Sequence, residues 1–102
     1  MILYNVTVKV EATIEKDWLD WMKTVHVPDV MKTGMFADYK ICRVLGEEAE
    51  NTFSFQYFAH STEHLQKYQK DHAPQLQKEH SDRYKDKFVA FRTLLEVIES
   101  HK

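Results

Sequence analysis

A chain of 102 residues with 43% hydrophobic and 29% charged side chains is sized for one globular domain, spanning residues 1–102, with a single core. Its only glycines are Gly34 and Gly46, so neither a Gly-rich phosphate loop nor the three-glycine turn of dinucleotide folds can be built. The formal net charge is −2, with nine acids against six bases in residues 1–50. That balance lacks the positive field that phosphate tracking needs, so neither nucleic acid nor a membrane surface is an expected partner.

Residues 2–10 alternate, with Ile2, Tyr4, Val6, Val8 and Val10 on one side and Leu3, Asn5, Thr7 and Lys9 on the other. This predicts a strand with one strongly apolar face. Thr13 is placed to cap a helix whose first turn carries Glu15 and Asp17. Trp18, Trp21, Met22 and Val25 follow at helical spacing. Pro28 must bend or restart that helix, and Gly34 is the natural residue to end it.

A second strand is predicted over Phe36–Leu45, a polar hairpin loop over Gly46–Asn51, and a third strand over Thr52–His60. Phe53, Phe55 and Tyr57 alternate along that third strand. Ser61 can cap a long polar helix from about Thr62 to Tyr84, interrupted at Pro74, with Leu65, Tyr68, His72 and Leu76 on its inner face. Phe88–Ile98 is apolar on both sides, and a strand of that kind is expected to be covered on both sides.

The order β-α-β-β-α-β defines an α+β, ferredoxin-like plan: a four-stranded antiparallel sheet with two helices on one face. Two helices cover one side only. Leu3, Phe58 and half of the last strand are left on the other, so a homodimer with facing sheets is expected. Cys42 is alone, which excludes an intramolecular disulfide and a multi-cysteine zinc site. Met1-Ile2-Leu3-Tyr4-Asn5 lacks the basic-then-apolar pattern of a signal peptide, and no run nears the ~20 apolar residues of a membrane span. A cytoplasmic location is the expectation.

The segments Tyr4-Asn5-Val6-Thr7-Val8, Trp18-Leu19-Asp20-Trp21-Met22, His26-Val27-Pro28-Asp29-Val30, Gly34-Met35-Phe36 and Phe91-Arg92-Thr93 resemble an uncharacterised bacterial family of small dimeric α/β-barrel proteins. The resemblance runs over almost the full length, and its most specific part is the His-Val-Pro-Asp segment. Relatives of that family include antibiotic-biosynthesis monooxygenases, haem-degrading monooxygenases, EthD-like proteins and stress-responsive barrel proteins. The resemblance implies a dimeric α/β barrel and no agreed activity.

Among six histidines, His60 and His64 have helical ligand spacing, but His60 belongs to the predicted strand and no third ligand accompanies the pair. His64, His72 and His80 are eight apart, which on a helix drifts by about 80° per step, so no metal site is expected. His26 stands beside the Pro28 bend. It can bond a carbonyl freed there, or serve as a polar group in a pocket. His72 can be a satisfied core histidine, a pocket base, or, in a haem-binding relative, an axial ligand. The haem-degrading pattern wants an asparagine on the helix-facing side of the first strand and a tryptophan near the second helix. Asn5 falls on the other side and no tryptophan follows Trp21, so no cofactor is expected.

The aromatic third strand also invites comparison with RNA-recognition motifs, but the Lys/Arg-Gly that should precede its aromatics is missing. Acylphosphatase and metallochaperone versions fail for want of a glycine-rich anion loop and a Cys-x-x-Cys. What remains is a small hydrophobic or aromatic molecule held between helices and sheet, either bound only or turned over by a cofactor-independent monooxygenase or isomerase, or else a purely structural oligomerisation module. Tyr4, Trp21, Met22, Tyr57 and Tyr68 are the candidate pocket walls, with His26, His72 and Arg92 as polar members.

Overall fold

Alternation at the start of the chain becomes strand β1, Ile2–Val10, with Tyr4, Val8 and Val10 buried and Lys9 exposed. Three more strands follow in this computed structural model, which describes residues 1–101: β2, Phe36–Arg43; β3, Thr52–Ala59; and β4, Phe88–Glu96. Each ends one or two residues sooner than its sequence pattern suggests. They form one antiparallel sheet of order β2-β3-β1-β4, the ferredoxin-like arrangement. Tyr4 faces Tyr57 on one side and Leu94 on the other, and Val6 faces Phe55 and Arg92.

The first crossover is not capped by Thr13. Residues Ala12–Ile14 wind into a tight 3-10 turn closed by Ile14 N–H to the Glu11 carbonyl, and helix α1 runs from Glu15 to Trp21. A π turn, Met22–His26, then leads into helix α2, Val27–Lys32, which has Pro28 in its first turn. The π turn changes which residues face the sheet. Buried positions run Trp18, Met22, Val27 and Val30, with a five-residue step where the turn widens, while Val25 is 39% exposed. The expected stripe through Val25 is therefore replaced by one through Val27. A wide turn tolerates the N–H that Pro28 lacks, because the Val27 N–H already reaches back five residues to Met22. Gly34 ends the helix at φ +77°, its N–H bonded to the Met31 carbonyl.

The second crossover is two helices. Ser61 caps α3, Thr62–Asp71, its hydroxyl accepting from the His64 N–H at 3.1 Å. The chain leaves helical geometry at His72 (φ −122°), two residues before Pro74, and restarts as α4, Ala73–Arg83. That break resets the inner face. Ala73, Leu76, His80 and Tyr84 are buried, whereas His72 is only half-buried. These residues join Trp18, Met22, Leu65, Tyr68 and the aromatics of β3 in one core, so all four helices lie on one side of the sheet.

On the opposite side, Asn5, Ser54, Gln56 and Thr7 form a hydrogen-bonded band across β1 and β3. β4 is an edge strand and is not covered on both sides within one chain: Val89, Phe91, Leu94 and Leu95 are 66%, 63%, 52% and 45% exposed. Among the described residues no helix is long and apolar enough to cross a membrane.

Candidate functional site

Met22, His26 and Val30 recur every fourth residue across the π turn, so one face of the first crossover points at the middle of the sheet. Opposite them stand Val6, Val8 and Phe55, and together they wall a small cavity of about 20 Å³. That is room for about one water molecule. Its polar rim is made by Tyr4 and Tyr57 from the sheet, Tyr68, Gln77 and His80 from the second crossover, and Arg92 from β4. Arg92 is exposed at the open edge, where its Nε donates to the Tyr4 hydroxyl at 3.1 Å.

The two histidines here have opposite circumstances. His80 Nε2 accepts from the indole N–H of Trp18 at 2.9 Å, which fixes that nitrogen as unprotonated, and the ring stacks on Phe88 at 4.0 Å. Burial, reinforced by His26 and Arg92, depresses its pKa to about 3. It is a satisfied core histidine. His26 is also driven down by burial, to about 4, with Asp29 and Glu79 pulling upward and Arg92 pushing downward. Its Nδ1, however, is buried and without a hydrogen-bond partner. A buried polar atom left in this way costs about 1–3 kcal/mol. The two rings lie 5.5 Å apart.

Tyr57 and Tyr68 are pushed well above the ordinary tyrosine range, first by burial and then by neighbouring tyrosine hydroxyls. Their O–H groups stay protonated and can donate. At neutral pH the cavity thus holds neutral imidazoles, hydroxyl donors and one guanidinium.

Of the residues proposed from sequence, Tyr4, His26, Tyr68 and Arg92 meet at this cavity, with Met22 and Tyr57 beside them. Trp21 does not line it. It forms a second layer, 5.5 Å from the His26 ring, 5.9 Å from His80 and 5.6 Å from Tyr84. His72 lies elsewhere, in an outer groove with Asp29, Asp71 and Glu79, its ring stacked on Tyr68. His72 is thus not among the polar groups of the cavity. Among the described residues no group of three or more His, Cys, Asp or Glu is arranged to hold a metal ion. Sequence reasoning misses His80, because one helix phased from Leu65 places His72 on the inner face instead. The spacing Ala73, Leu76, His80, Tyr84, counted afresh from Pro74, is the signal that identifies it.

A family described as "Domain of unknown function (DUF4286)" matches residues 1–98. No curated protein matches the sequence. Among solved structures, a dimeric ferredoxin-like protein from an uncultured marine organism superposes with a TM-score of 0.76 at 16% identity, covering 99% of this chain and 97% of its own. An EthD-family protein from Bacillus halodurans gives 0.71 at 14% identity over 96% and 100%. SnoaB, a cofactor-independent oxygenase from Streptomyces nogalater, gives 0.73 at 6% identity over 97% and 94%. At these identities the likeness is one of fold.

Proposed function

The chain belongs to the DUF4286 family, and from that premise we propose that its helix–sheet cleft binds a small, largely aromatic molecule through a polar atom placed beside His26. The observation that carries this reading is the unpartnered Nδ1 of His26, buried next to a cavity. A buried water can supply the missing bond in the empty protein. In the complex, a ligand oxygen takes that water's place, and the apolar body of the ligand extends past Arg92 toward Leu94, which is 52% exposed on the same side of β4. Tyr57 and Tyr68 hydroxyls add donors around the oxygen.

Binding is favoured over turnover. SnoaB is described as a cofactor-independent oxygenase, and in an enzyme reading of this chain His26 would be the group to accept a proton from a substrate. Yet a pKa of about 4 makes it a weak proton acceptor at pH 7, well below the match that general-base catalysis requires.

A second copy of the chain is the cover we propose for the outer sheet face. Val89, Phe91 and Leu95 are exposed there in line with Leu3, and the marine neighbour is itself described as dimeric.

Calorimetric titration with 2-naphthol tests the binding reading. Saturable binding at one site per chain is expected, weakened at least fivefold by His26→Phe and abolished by Gln77→Trp, which adds an indole to the cavity lining. Absence of binding to the wild type, or equal binding by all three proteins, would sink it.

A further inference from the structure

Arg92 is the one cation of the cavity lining, since burial holds His26 and His80 neutral, and no carboxylate lines the cavity. No carboxylate among the described residues pairs with it. Its Nε is engaged by Tyr4, a contact that orients the side chain and leaves the two terminal nitrogens free. A guanidinium held by Nε presents those nitrogens as a fork, which matches the two oxygens of a carboxylate.

The groups facing His26 are distributed so that this charge is not cancelled. Glu79 on α4 and Asp29 on α2 act on His26 from the outer groove that they border with His72, and neither lines the cavity. His80 on α4 and Arg92 on β4 border the cavity itself. The cavity lining therefore has one cation, hydroxyl donors and no carboxylate. Leu94, two residues beyond Arg92 on the same face of β4, continues the site as an apolar shelf.

We infer that the ligand of the cleft is an aromatic carboxylate, bound as its anion, with Arg92 as the counter-ion and Tyr4 as the residue that positions Arg92. This rests on the cleft being a binding site and names the class of molecule it selects. A neutral ligand would leave the guanidinium solvated and gain nothing from it. An anion exchanges that solvation for a forked pair at the edge of a low-dielectric cavity.

The test compares 2-naphthoate with its uncharged isostere 2-naphthamide by calorimetry at pH 7 and low salt, on the wild type, Arg92→Gln and Arg92→Lys. The acid is expected to bind the wild type at least tenfold tighter than the amide. Arg92→Gln should weaken the acid at least tenfold while leaving the amide within twofold, and Arg92→Lys should fall between. Equal affinity for acid and amide overturns the inference, as does a loss in Arg92→Gln shared by both probes. If the amide and 2-naphthol bind but the acid has no advantage, the cleft reading survives and only the carboxylate is wrong. If none of the three binds, both fail.

Discussion

Acidification should destabilise this protein through two imidazoles, that of the buried His80 and that of the half-buried His26. His26 and His80 have folded-state pKa values near 4 and 3, against 6.5 when exposed in the unfolded chain. Both are depressed, so as pH falls below 6.5 the unfolded state binds protons that the folded state refuses, and stability declines. Above 6.5 neither histidine contributes to the slope. The decline continues until the folded pKa values are reached. One proton per residue corresponds to about 1.4 kcal/mol per pH unit. At pH 5 each histidine therefore costs about 2 kcal/mol, or about 4 kcal/mol together, a large part of the ~5–15 kcal/mol typical of a domain. Urea denaturation followed by tryptophan fluorescence at pH 7, 6 and 5, at one fixed protein concentration, measures this. His80→Gln keeps an acceptor for the Trp18 indole and should remove about half of the loss, and His26→Gln the other half. Stability unchanged from pH 7 to pH 5, or a loss undiminished in both variants, would refute the burial of neutral imidazoles.

Other consequences are more local. Trp18→Phe removes the indole donor and leaves the His80 acceptor unpaired in the core, so urea denaturation should show a loss of about 1–3 kcal/mol. Gly34→Ala meets open space but must hold φ +77°; an alanine there should cost about 1–2 kcal/mol in the same assay without altering ligand affinity. Phe91→Lys places a charge on the exposed outer sheet face and should convert a dimer to single chains in sedimentation at micromolar concentration, while a wild type that sediments as a single chain would remove the proposed second copy.

Strand periodicity made the sheet legible because its two faces differ so sharply. Phe53, Phe55 and Tyr57 are buried and their neighbours less so, as their alternation indicates. The helices were less transparent. Proline marks where a helix is disturbed but not how the disturbance is absorbed. At Pro28 the chain widens into a π turn and swaps Val27 for Val25; at Pro74 it breaks two residues earlier and swaps His80 for His72. Each is a change of phase, and a phase error moves every later side chain to another face. The site carried the same error. His26, Tyr4, Tyr68 and Arg92 could be assembled from four elements by their faces alone, while the Trp18–His80 bond joins residues 62 apart and leaves no local trace.

In the proposed complex the ligand meets the protein at His26 and at no other histidine. Nitrogen-15 imidazole spectra of histidine-labelled protein, recorded with and without 2-naphthol, address it directly. The His26 Nδ1 resonance should shift on saturation as a ligand oxygen replaces the water bonded there, His80 should shift slightly through its neighbouring ring, and His60, His64, His72 and His101 should stay in place. An unmoved His26 in the saturated complex, or shifts confined to the other histidines, would contradict the account.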